Sequence, residues 1–230
     1  MVLLSDTRTN AGVDNVAVYR KMYSFEVPGE RVITLMTAGN LSVTQTTIAR
    51  LQEAASDDPE ADSTKSVLKA HTMLGVAEVV GQTLATVRAE IADKMATMRQ
   101  AASASMIVAG QRRGGGMRLF LIYPEGNFIE ATDDTPFLQI GEHKYGKPIL
   151  DRVVTPDTSL EDAQKAVLLS MDSTLRSNLS VGMPLDLQVI ERDALRVGLS
   201  RRIEAGDAGF AAMSEAWSTA LRDAFRRIEV

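Results

Sequence analysis

A long helical pattern held between hairpin-like strings constrains this chain more than any other feature. Between about residues 66 and 104 the sequence is rich in Ala, Met, Val, Glu and Lys. Val67, Leu74, Ala77, Leu84, Val87, Ile91, Met95 and Met98 recur there at helical spacing. Gly75 and Gly81 fall inside the run and permit a bend. Upstream, residues 22–27 alternate, Pro28, Gly29 and Glu30 supply a turn, and residues 31–36 continue as a second strand. Downstream, residues 106–109 and 117–123 are joined through "GQRRGGG", and a Pro-Glu-Gly-Asn turn leads into 128–132. A long helix between hairpins does not fit a regular strand–helix–parallel strand alternation.

The rest of the chain fills in around that frame. Residues 2–4 read as the end of a strand and 9–15 as a loop of turn formers. Ala38, Gly39 and Asn40 end the first hairpin, and a helix starting at Ser42 would carry Ile48, Leu51 and Ala55 on one face. Residues 56–63 form a polar break, and the apolar string 137–140 ends at Gly141. Helices are expected from near Tyr145 and over 159–175, then a strand pair at 185–190 and about 195–203, then the amphipathic "FAAMSEAWSTALRDAFRRI". The order is strands, two helices, strands, two helices, strands and a last helix. It predicts an α+β fold, a four-layer αββα sandwich of two antiparallel sheets flanked by helices. No internal repeat or linker interrupts it, so residues 1–230 are expected to form one domain.

Composition narrows the function. At 230 residues, 45% hydrophobic, the chain can bury a core without metal or disulfide support. A net charge of -5 gives no footprint for nucleic acid. The absence of cysteine rules out thiol catalysis, and two histidines, His71 and His143, leave little for zinc. No apolar run approaches the ~18 residues of a membrane span. The expectation is a cytoplasmic protein with no cofactor, no metal, and neither nucleic acid nor membrane as partner.

The strings "LLSDTRTNAGVDN", "YRKMYSFEVPGERV", "LMTAGNL", "RLFLIYPEGNFIEAT", "IGEHKYGKPILDR" and "SNLSVGMPLDLQVI" occur in that order over most of the chain. Together they resemble the proteasome-type N-terminal-nucleophile hydrolases, and among these the bacterial proteasome homologues. The resemblance implies an N-terminal threonine whose hydroxyl attacks a peptide carbonyl, with its own α-amine as general base. An α-amine suits that task because its unperturbed pKa of ~8 lies near physiological pH. The resemblance places Lys21 beside the threonine and Asp6 on the Lys21 ammonium, and makes the Gly39 N–H the oxyanion donor. Ser177 and Ser180 fall where the family orients the terminal amine. Many members carry aspartate at the Ser177 position, and "GEHKYG" stands where proteasome subunits have Gly-Ser-Gly. Glu142 and His143 are the local polar candidates there. The family's threonine heads a strand preceding "LLSDTR", so the nucleophile is expected upstream of Met1. The 230 residues by themselves are then expected to be inactive, lacking a first strand.

By local signals alone these residues have plainer readings. Asp6 suits a turn, Lys21 a surface site, Gly39 a helix start, and Ser177 and Ser180 a loop after a helix. Thr7 and Thr9 are internal and are not read as nucleophiles. "QRRGGG" lacks the Lys-Ser/Thr of a phosphate loop and reads as a hairpin turn. The implied function is a proteasome-like threonine peptidase; a non-catalytic self-assembling scaffold and an amidase for small amides stay open beside it. Expected partners are peptide or protein substrates, a regulator of unknown kind, and further copies of the chain in a ring or open spiral. The 66–104 helix is the expected main contributor to self-association.

Overall fold

The computed structural model describes residues 1–10, 16–97 and 102–229. Its elements in chain order are β1 (Val2–Asp6), β2 (Arg8–Asn10), β3 (Val16–Val18), β4 (Met22–Val27), β5 (Arg31–Gly39), α1 (Leu41–Ala54), α2 (Met73–Thr97), β6 (Ala104–Arg112), β7 (Arg118–Ile122), β8 (Phe128–Glu130), α3 (Lys147–Val153), α4 (Leu160–Ser177), β9 (Leu185–Val189), β10 (Leu199–Ile203) and α5 (Ala208–Arg227). This is the alternation of strand groups and helix pairs that the sequence predicts. No helix among the described residues is long and apolar enough to cross a membrane.

The chain divides into two compact units, each drawn from separated stretches. The first holds Met1, residues 20–141 and residues 189–199. Its five-stranded antiparallel sheet has the order β4-β5-β6-β7-β8. The β4–β5 hairpin closes at the expected turn, with Val27 opposite Arg31. α1 and α2 cover the sheet, and Leu35, Leu51, Leu84, Met106 and Phe120 meet in one apolar cluster. Phe120 and Phe128 stack edge-on at 5.7 Å. Asn40 caps α1 by accepting from the Val43 N–H.

Three details depart from the sequence reading. The long helix begins at Met73, not near 66. Arg31, 5% exposed, reaches across to donate to the Ala70 carbonyl at 2.8 Å, so that carbonyl serves a buried cation instead of a helix. The Thr72 hydroxyl then accepts from the Gly75 N–H and caps the true helix start. Gly81 does not interrupt α2; a Cβ there would stand 2.2 Å from the Gly126 carbonyl oxygen, so the glycine lets the helix lie against the β7–β8 turn. The half-buried string 137–140 forms no strand. Met98 of the expected helical stripe lies outside the described residues.

The second unit holds residues 2–19, 142–188 and the chain from Ser200 onward. Its larger sheet has the order β1-β9-β10, and β2 pairs antiparallel with β3. The sequence reads 9–15 as loop, whereas Thr9 and Asn10 are strand residues opposite Ala17 and Val16; residues 11–15 lie outside the described residues. α4 packs against β1, α3 and α5. Its buried positions include Ser170, Asp172 and Thr174, so its interior is polar in large part. The Asp172 carboxylate accepts from the Ser214 hydroxyl at 2.7 Å and from Arg176 at 3.2 Å, and Arg176 also donates to the Ser214 oxygen. This closed triangle ties α4 to α5.

Candidate active site

β1 ends at the buried Asp6, and the three residues Asp6, Thr7 and Arg8 are each bonded to the 178–184 loop after α4. Asp6 is 9% exposed, and one carboxylate oxygen accepts from the backbone N–H of Arg8 at 3.1 Å and of Gly182 at 3.2 Å. Two main-chain donors on one carboxylate oxygen fix its orientation. Thr7 is wholly buried and its hydroxyl donates to the Pro184 carbonyl at 2.7 Å. It is a structural threonine. Arg8 donates to the Leu179 carbonyl at 2.9 Å.

The loop is also braced from within. The Asn178 side-chain oxygen accepts from the Ser180 N–H at 2.8 Å and from the Ser180 hydroxyl at 2.7 Å, an Asx turn. Ser177 is the last residue of α4, and both it and Ser180 are exposed. The structure therefore brings Asp6 and the Ser177–Ser180 segment into one neighbourhood of the second unit.

Lys21 and Gly39 belong to the first unit. Lys21 stands just before β4, half-buried, and its carbonyl accepts from the Thr37 N–H at 2.9 Å. That bond continues the ladder past Met22 opposite Met36. Gly39 closes β5 two residues beyond Thr37, so Lys21 and Gly39 share one end of the β4–β5 ladder. Gly39 has φ +104°, and a Cβ there would stand 2.5 Å from the Ser103 carbonyl oxygen. Only glycine fits. Glu142 and His143 are exposed in the turn before α3, where the His143 carbonyl accepts from the Lys147 N–H.

Reading the sequence missed Gly182, Arg8 and Asn178 as the frame that holds Asp6 and Ser180. Asp6 and Gly182 are 176 positions apart, and no local spacing could have joined them.

A model of the proteasome subunit family matches residues 2–190. The chain belongs to the proteasome subunit family. Solved relatives agree over its whole length. An Anbu Gly-1 mutant from Hyphomicrobium sp. is 50% identical with a TM-score of 0.89, covering 100% of this chain and 93% of its own. Anbu, an ancestral beta-subunit, from Yersinia bercovieri is 40% identical with a TM-score of 0.90, covering 100% and 94%. The helical assembly of the Anbu complex from Pseudomonas aeruginosa is 45% identical with a TM-score of 0.89, covering 100% and 92%. No curated protein matches the chain. This proteasome-family chain has the fold of those relatives, antiparallel sheets with five helices among the described residues.

Proposed function

We propose that this protein is a self-assembling, cytoplasmic, proteasome-type peptide hydrolase, folded as one domain, whose nucleophile is a threonine at the head of a strand preceding β1. The observation that carries the reading is the Asp6 carboxylate, held at the end of β1 by the N–H groups of Arg8 and Gly182. A residue fixed that firmly is suited to hold a cation. β1 also offers an edge for a preceding strand, since among the described strands it has a sheet neighbour only in β9. An unpaired edge of this kind is a template for one more strand.

The roles follow the family likeness. Lys21 brings positive charge that favours the deprotonated amine and hydroxyl of the threonine. Asp6 positions Lys21, the Gly39 N–H stabilises the oxyanion, and Ser177 and Ser180 orient the terminal amine. The Anbu complex from Pseudomonas aeruginosa is described as a helical assembly; the same habit is proposed for this chain.

The test is covalent labelling by a threonine-directed electrophile. The 230 residues alone should neither label nor turn over peptide. A form extended by a threonine-headed strand should label on that threonine, and its Thr→Ala version should not. In the extended form, Lys21→Ala should slow labelling by on the order of 10²–10⁴-fold. Equal labelling of the 230 residues alone would assign the chemistry to another residue. Full assembly of the extended form with no labelling would favour a scaffold.

A further inference from the structure

At the end of the five-stranded sheet opposite Lys21 and Gly39, Arg31 and Arg112 stand directly across from each other on β5 and β6. One position further on, the Arg113 N–H donates to the Glu30 carbonyl at 2.7 Å. Arg31 and Arg112 are therefore a non-hydrogen-bonded pair, the kind whose side chains stand closest. Like charges set in this way repel. Every nitrogen of the Arg31 guanidinium is served: Nε and Nη2 donate to one Glu30 carboxylate oxygen at 3.0 and 2.6 Å, and Nη1 to the Ala70 carbonyl at 2.8 Å. Arg112 differs. Its Nε is enclosed and has no hydrogen-bond partner, and no carboxylate among the described residues pairs with it. Arg113 lies against the β4–β5 turn, where a Cβ at Gly29 would stand 3.1 Å from its Nη2.

We propose that Arg112, backed by Arg31 and Arg113, binds a phosphate group. The charged residues of 28–31 and 112–117 are Glu30, Arg31, Arg112 and Arg113. Glu30 answers Arg31, which leaves two guanidinium charges without an acid. The acidic stretch 57–62 supplies none: its Asp62 pairs with Lys65, and no ion pair among the described residues joins the stretch to Arg112. A phosphate or phosphate monoester carries about −1.5 to −2 at neutral pH and matches that excess, where one carboxylate would meet half of it. A guanidinium edge presents parallel N–H groups to such an oxyanion, and the enclosed Nε is one of them. A buried donor without a protein partner is completed by an ion or a water, and the uncompensated charge favours the ion. Approach is open, since a Cβ at Gly114 or Gly116 would meet nothing within 4 Å. The glycines form no phosphate loop; side chains hold the group. The site lies about 26 Å along β5 from Gly39 and is independent of the peptidase reading.

The test melts the 230-residue chain at low ionic strength in inorganic phosphate, against chloride of equal ionic strength. Phosphate should raise the melting temperature saturably, by about 3–6 °C at ten times its dissociation constant. Arg112→Gln should weaken phosphate binding about tenfold or more. Arg112→Lys keeps the charge without the fork and should weaken it less, and the remote Arg222→Gln should leave it unchanged. In chloride alone Arg112→Gln should melt no lower than the wild type, because it removes a charge facing Arg31. A lower melting temperature there would mean that Arg112 already has its partner, and overturns the proposal. So does a wild type with no saturable shift, the result expected if water alone completes Nε. Unchanged phosphate affinity in Arg112→Gln, or acetate matching phosphate, overturns it as well. Glycerol phosphate separates the two sources: a shift equal to that of inorganic phosphate assigns the site to phosphate monoesters, and a shift from inorganic phosphate alone assigns it to the free anion.

Discussion

The two compact units are held together by different chemistry. In the first, β5 is buried from Arg31 to Thr37, and Leu35, Leu84, Met106 and Phe120 lose all contact with water. In the second, polar side chains share the interior with Leu3, Leu150, Leu185, Leu187 and Ile203: Asp6, Thr7, Ser170, Asp172, Thr174 and Ser214 are all buried. Apolar burial is non-directional and tolerates sliding, whereas a buried hydrogen bond holds only at one distance and angle. The second unit thereby gains fixed positions for particular atoms, at the risk that losing one partner strands the other. Positional accuracy at Asp6 and robust stability in the sheet are thus carried by separate parts of the chain.

The contrast can be broken by substitution. Phe120→Ala empties a closed apolar site and should cost about 3–5 kcal/mol in denaturant unfolding. A loss under 1 kcal/mol would mean that the first unit is not held by its core. Asp172→Ala should cost less, about 1–3 kcal/mol, because Arg176 can turn to water while the buried Ser214 hydroxyl is left without its acceptor. Adding Ser214→Ala to it should cost little more, since the pair acts as one unit; simple additivity would deny the triangle.

The smallest effect is at the α5 cap. The Phe210 N–H, and then Arg201, hold the Asp207 carboxyl below the usual carboxylate range. A group with a lowered folded pKa stabilises fully above its unfolded value of ~3.9, and that contribution is lost as pH falls through the folded value. Asp207→Asn keeps a cap without the charge. Its melting temperature should drop less than the wild type's between pH 7 and pH 3. Equal drops would show that Asp207 is not the titrating group.

Legibility followed the same division. The first unit announces itself in alternation, a Pro-Gly turn and helical spacing, because apolar burial writes a periodic pattern. One failure there came where a buried ion intervened: Val67 fits a helical stripe, yet Arg31 claims the carbonyls of Val67 and Ala70. In the second unit the elements were readable but their junctions were not. Thr9 and Asn10 look like loop residues, and nothing in "RSNLSVG" says that Gly182 faces Asp6. The family likeness of whole strings supplied the candidate residues Asp6, Lys21, Gly39, Ser177 and Ser180 where spacing could not.

Gly39 carries a consequence for any survey of tolerated variants. Its left-handed φ and the Ser103 carbonyl 2.5 Å from a would-be Cβ exclude every side chain before chemistry is considered. Even alanine must displace backbone on β6, so a library selected for folding alone will already be empty of substitutions at this position. The ladder contact of Lys21 runs through its carbonyl, which any residue provides. Depletion at Gly39 therefore measures how closely two strands approach, and depletion at Lys21 under selection for activity, with tolerance under selection for folding, is the signature of catalysis.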